Sequence, residues 1–321
     1  MASVIDYAFG VSAIDAAFQR PQQTAIHLIV EHGRAAIVDT GTNRSVPRVI
    51  EALAQKGIAP EAVDYVILTH VHLDHAGGAG LLMTQLPNAT LTVHPRGARH
   101  IADPAQLIAG TRAVYGEEAF TRTYGGIVPV AKQRTIETPH GFSLKLAGRE
   151  FAFFDTPGHA RHHVSIRDER SGHVFAGDTF GFAYPELAVG GRRFIFPTTS
   201  PSQFDPDAAH RSIDLLLSLD PAAIYVTHYS QVIEIERMAV DMHRLIDAHE
   251  RVARDAKDAG DERRAALRRG VRELVLAEAA RYRWPLSREG ILDLFEGDID
   301  LNAQGLGSWL DSVEQKKASA K

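Results

Sequence analysis

"YVILTHVHLDHAGG" (residues 65–78) runs from an apolar stretch, through three histidines and an aspartate, into a pair of glycines. The apolar part belongs to a strand predicted over 62–70, and the cluster follows where that strand ends. His70, His72, Asp74 and His75 fall within six positions. Four such side chains cannot all be buried beside a strand without partners. Imidazole nitrogen and carboxylate oxygen are the donors that borderline divalent metals such as zinc or iron accept. A loop at the carboxyl end of a strand can aim alternate side chains at one point, so the cluster reads as part of a metal site.

Three further segments place a polar residue where a strand ends. FFDTPGHARHHV supplies His159, HVFAGDT supplies Asp178 and AAIYVTHYS supplies His228. Upstream, AAIVDTG places Asp39 at the end of another strand. The ordered set IVDTG, HxHxDH, TPGH, GD and a late strand-end histidine resembles the metallo-β-lactamase superfamily, over roughly residues 20–230. The resemblance implies a four-layer αββα sandwich in the α/β class, here with a helical C-terminal region. It also implies two divalent metal ions, most simply Zn2+, although iron or manganese fit the same donors. His70, His72 and His159 would hold the first ion, and Asp74, His75 and His228 the second. Asp178 would bridge them. Asp39 and His163 would stand behind the ligands, as orienting or hydrogen-bonding groups.

A metal pair of this kind supports hydrolysis by a bridging hydroxide, with Asp74 and Asp178 as the catalytic carboxylates. The expected reaction is cleavage of a small-molecule ester, thioester or lactone. TPGH, AGD and C-terminal helices together resemble the glyoxalase II-like branch, where such helices help to bind a glutathione thioester. Thr227-His228-Tyr229 departs from the GHE common in that branch. Acyl-homoserine lactonases share HxHxDH, and nothing marks a lactam pocket. The alternative is a non-haem iron redox protein of the same fold, either persulfide dioxygenase-like or diiron and oxygen-binding. Aromatics crowd residues 175–196, so Phe180, Phe182 and Tyr184 could wall a substrate pocket or simply pack their loop. Tyr229, next to His228, could reach a leaving group.

Composition narrows the partners. The 321-residue chain is 45% hydrophobic and 23% charged, which is an ordinary globular mixture. It has no cysteine, so any metal must be held by histidine and carboxylate. A net charge of −5 and no basic stripe argue against a nucleic-acid partner. No apolar run is long enough for a membrane span. The opening MASVIDYAFGVSAIDAAF lacks the charge and apolar core of a secretory signal, so a cytoplasmic location is expected.

Along the chain, TAIHLIVE and AAIVDTG read as a hairpin about His32-Gly33, and 45–57 as a helix stopped by Gly57. Residues 236–321 change character. Met238, Met242, Leu245, Ile246 and His249 share one helical face, as do Leu267, Val271, Leu274 and Val275. Shorter helices are expected at 287–296 and 306–317, with a frayed tail KKASAK. The chain is therefore divided into a catalytic domain, 1–235, and a helical extension, 236–321. The apolar faces of the extension leave a homodimer open. His162 is expected to be exposed at a strand start. His94, His100, His140, His173 and His249 lie outside the pattern and read as structural or surface residues.

Overall fold

The computed structural model describes residues 2–319. Its first sheet has seven strands in sequential order: β1 (Val4–Asp6), β2 (Val11–Asp15), β3 (Ala25–Glu31), β4 (Arg34–Val38), β5 (Val63–Ile67), β6 (Thr90–Val93) and β7 (Thr135–Glu137). Strands β1–β4 are antiparallel, and β4–β7 are joined in parallel. The parallel half requires crossovers, which α1 (Val46–Gln55), α2 (Leu73–Ala76), α3 (Ala79–Gln85), α4 (Pro95–Ala102), α5 (Ala105–Tyr115) and α6 (Glu117–Thr123) supply. The second sheet, in the order β13-β12-β11-β10-β9-β8, contains β8 (Ser143–Leu146), β9 (Arg149–Asp155), β10 (Val164–Asp168), β11 (His173–Gly177), β12 (Ile224–Val226) and β13 (Ser230–Val232).

Side-chain alternation explains why the central strands read as continuous apolar runs. On β3, β4 and β5, Ile26, Leu28, Ala35, Ile37 and Val66 face the helices, in one core with Val49, Leu53 and Leu82. The intervening Ile29, Ala36, Val38 and Ile67 face the second sheet and meet Phe151, Phe153, Ile166, Phe175 and Tyr225. Both faces are buried, so polar alternation disappears and the expected α/β sandwich results. The β3–β4 hairpin turns at His32 and Gly33, at φ 46° and 77°, and Glu31 pairs with Arg34 across it. Gly57, at φ 66°, ends α1 and lets the Ile58 N–H reach Leu53 O at 2.9 Å.

Compactness divides the chain into two units. The first comprises residues 1–155, 162–177 and 220–233, and contains both sheets and α1–α6. The second comprises 156–161, 178–219 and 234–321, and so unites a short loop and a longer segment that ends in a helix with the C-terminal helices. Within it are α7 (Pro206–Ser218), α8 (Ile235–Ala256), α9 (Arg263–Tyr282) and α10 (Arg288–Ser319), with α7 packed on α8, α8 on α9 and α9 on α10. The two short helices expected near the end are one. Ile291, Phe295, Ile299, Asn302, Gly305, Leu306 and Leu310 form a buried stripe along this one helix, which continues past Gly297 and Gly307. Residues 316–319 of the tail expected to fray continue that helix, while Ala320 and Lys321 lie outside the described residues. Among the described residues no helix is long and apolar enough to cross a membrane.

Candidate metal centre

In the first unit, one buried carboxylate organises three strand ends. Asp39 follows β4 at φ 60°, a left-handed conformation that aspartate tolerates better than most residues. Its oxygens accept hydrogen bonds from Thr69 N (2.9 Å) and Thr69 Oγ1 (2.9 and 3.0 Å), just past β5. Thr227 Oγ1, just past β12, donates to it at 3.0 Å, and His75 Nδ1 at 2.9 Å. Four donors therefore converge on this one carboxylate.

The ligand-type side chains converge around that support. His70 Nε2 and His72 Nδ1 face one another at 2.9 Å, while Thr69 Oγ1 lies 3.1 Å from His70 Nδ1. Asp74 Oδ2 stands 3.5 Å from His75 Nε2 and 3.5 Å from His228 Nε2. Asp74, His75 and His228 thus bring three donor atoms within 4.8 Å of one another. The far nitrogen of each imidazole is tied to protein: His75 Nδ1 to Asp39, and His228 Nδ1 to Gln23 O at 2.9 Å and Thr24 Oγ1 at 3.2 Å. A ring that donates its Nδ1–H to such an acceptor carries its lone pair on Nε2, aimed at the cluster. That is the donor set and tautomer a borderline divalent ion requires, so these residues fit a metal.

The glycines beside the ligands are required by close backbone approach. A Cβ on Gly78 would lie 2.7 Å from Thr42 O, and one on Gly77 would lie 2.3 Å from Leu73 O. That approach lets Thr40 N and Oγ1 both donate to His75 O, at 2.7 and 2.8 Å. Gly177, the glycine of AGD, has φ 49°, and a Cβ there would sit 2.5 Å from His163 Nε2. His163 is fully buried and stacks on His70 with ring centroids 5.0 Å apart. His162 is a correction to the sequence reading: it is buried, not exposed, and its ring lies parallel to His70 with centroids 6.1 Å apart. The strand start turns inward there, over the ligand cluster.

In the second unit, His159 and Asp178 are both buried, with His159 Nε2 3.5 Å from Asp178 Oδ2. Thr198 Oγ1 lies 2.7 Å from His159 Nδ1. The loop carrying His159 is pressed onto α7: a Cβ on Gly158, at φ 133°, would lie 2.4 Å from Ala209 Cα. Gly158 O accepts from Asp205 N at 2.8 Å.

Of the aromatic candidates, Phe180 is fully buried. Phe182 packs against Tyr184, Phe196 and Phe295 with centroids 4.5–5.7 Å apart. The Tyr184 hydroxyl donates to the Asp298 carboxylate at 3.2 Å. Tyr229 lies in the first unit, in a small core with Ala13 and Ala25. Outside the cluster, His94 Nδ1 accepts from Arg96 N at the start of α4, His173 bonds Tyr225 OH, and His249 Nδ1 donates to Leu245 O.

Sequence reading missed the threonines. Thr69 and Thr227 each stand directly before a ligand-type histidine and point at Asp39. The repeated Thr-His pair at two strand ends was the available signal. Thr198 left none, because it lies far along the chain from His159, which its Oγ1 meets.

Comparison with known proteins identifies the family and the fold. Residues 20–228 match the family model described as the metallo-beta-lactamase superfamily. The Bacillus subtilis protein YobT is 27% identical over 63% of this chain and 81% of its own length. A hydroxyacylglutathione hydrolase of Xanthomonas campestris pv. campestris is 30% identical over 56% of this chain. That match spans only 51% of the hydrolase. Among solved structures, a metallo-beta-lactamase family protein from Thermus thermophilus superposes with a TM-score of 0.65 at 20% identity. The superposition covers 95% of this chain and 94% of that one, and establishes a shared fold.

Proposed function

This chain belongs to the metallo-β-lactamase superfamily, and we propose that it is a dinuclear metal-dependent hydrolase acting on a small-molecule ester, thioester or lactone. The observation that carries the reading is the Asp74–His75–His228 cluster, with its outer imidazole nitrogens already tied to Asp39, Gln23 and Thr24. By the family resemblance, His70, His72 and His159 would hold one ion and Asp74, His75 and His228 the other, with Asp178 serving both. When bound, such a pair lowers the pKa of water towards neutrality and polarises a carbonyl oxygen.

The chain's own residues do the rest. Asp39 fixes the tautomer and orientation of His75 and makes its Nε2 a stronger donor. Asp74 is only partly buried, so its carboxylate is the group to take the proton from water and pass it to the leaving group. The hydroxyacylglutathione hydrolase relatives put thioesters first among candidate substrates. The substrate is a small molecule in this reading, with no nucleic-acid or membrane partner.

The test is a substrate panel on metal-quantified protein. It should include S-lactoylglutathione, acyl-CoA thioesters, acyl-homoserine lactones, aryl esters, a phosphodiester and a β-lactam, with D178A as control. Turnover of an ester, thioester or lactone that D178A abolishes supports the proposal. A preparation that carries iron, consumes oxygen and hydrolyses nothing in the panel replaces it with a redox role.

A further inference from the structure

We propose that Asn302, on α10, is a positioning residue for the metal site: it fixes the 197–199 segment so that Thr198 holds His159 in its metal-binding tautomer. This rests on the reading of His159 as a ligand given above.

The chain of contacts lies wholly within the second unit. His159 Nδ1 faces two oxygens of Thr198, Oγ1 at 2.7 Å and the main-chain O at 3.4 Å. A carbonyl oxygen can only accept, so the contact to Thr198 O favours the hydrogen on Nδ1, with Thr198 Oγ1 accepting as well, and leaves the lone pair on Nε2. That Nε2 is the atom 3.5 Å from Asp178 Oδ2. Thr198 therefore sets both the rotation of the ring and the nitrogen available to a metal.

Thr198 sits on irregular backbone, between Pro197 and Thr199, and its position is imposed by α10. The Asn302 side chain uses both ends of its amide there. Its Oδ1 accepts from Thr199 N at 2.8 Å, and its Nδ2 donates to Pro197 O at 3.2 Å. The Asn302 main-chain O accepts from Thr199 Oγ1 at 3.1 Å. Asn302 and Thr199 are both buried, where unmade hydrogen bonds are costly. One helical turn on, a Cβ at Gly305 would lie 1.4 Å from Thr199 O. Glycine is disfavoured in a helix interior relative to alanine. Its presence at 305 follows from the close seat of this segment on the helix. The function this assigns to the C-terminal helix is mechanical: it sets the imidazole of a ligand 143 positions earlier in sequence than Asn302.

The test is a Zn2+ titration of the full-length protein against a chromophoric chelator, comparing wild type with H159A, T198V, T198S and N302D. N302D keeps the size and the acceptor for Thr199 N but removes the donor to Pro197 O. H159A defines the binding event that depends on His159. T198V and N302D should each weaken that event by about tenfold or more, at unchanged circular dichroism, and T198S should restore it. If H159A binds Zn2+ like wild type, His159 is no ligand and the proposed function fails at that residue. If H159A weakens binding while folded T198V and N302D both match wild type, the metal assignment stands and the positioning role is overturned.

Discussion

Asp39 and His75 are joined by a buried hydrogen bond, Nδ1 to Oδ2 at 2.9 Å, although 36 residues separate them in the chain. The same carboxylate ties down Thr69 and Thr227, so one side chain sets the loops after three strands. D39N replaces an acceptor by an amide, whose NH2 would oppose the His75 N–H. Metal affinity should fall about 10- to 100-fold, read by chelator competition. A D39N protein with wild-type affinity would show that His75 needs no such support.

Gly177 should tolerate no side chain. Alanine there would have to keep φ 49° and displace His163, which stacks on His70. G177A should lose about 1–3 kcal/mol in urea unfolding and bind metal more weakly. Equal stability would mean that His163 can move freely.

The two sheets are also joined by charge. Arg149 on β9 donates to Asp168 on β10 at 2.9 and 2.6 Å, and lies 3.3 Å from Glu31 on β3. Burial alone would raise the Asp168 pKa, but hydrogen bonds from Arg149 and Ser171 hold it below the usual range. R149M takes the guanidinium away from buried Asp168, while Glu31 keeps its ion pair with Arg170, and should cost about 3–5 kcal/mol at pH 7, measured by urea denaturation. R149M/D168N should recover part of that loss.

Two buried histidines make the fold sensitive to mild acid. Burial lowers His27 to about 4, against the pull of Asp39, and lowers His249 to about 4 in spite of its bond to Leu245 O. In the unfolded chain both titrate near 6.5. As pH falls from 6.5 to 4, the unfolded state takes up protons that the folded state does not. Stability is therefore complete above 6.5, declines through this window and levels off below 4 as far as these two groups are concerned, by about 3 kcal/mol for each. H249L should make the decline between pH 6.5 and 4 shallower in urea unfolding. An identical slope would place the titrating groups elsewhere.

What the sequence made legible was local. The HxHxDH run, the strand-end Asp178 and His228, the His32-Gly33 hairpin and the Gly57 stop are each written within a few residues. The short strands β1, β2, β7 and β13 were not, because three to five residues carry too little periodicity. Helix α10 joins the two short helices expected at 287–296 and 306–317 through a stretch that holds Gly297, Gly305 and Asn302. Their reasons are tertiary where they can be traced: Gly305 and Asn302 meet Thr199, a hundred residues away. The threonines behind the ligands left only the repeated Thr-His pair as a local trace, since the carboxylate they bond lies far away in sequence.

The most direct test is metal content against hydrolysis in one experiment: apo protein is titrated with Zn2+, and bound metal and substrate turnover are followed together in wild type and D178A. Wild type should reach two ions per chain, with turnover rising as the sites fill. D178A should lose both the second equivalent and turnover. A D178A protein that holds two ions and keeps the wild-type rate would contradict the dinuclear hydrolase reading.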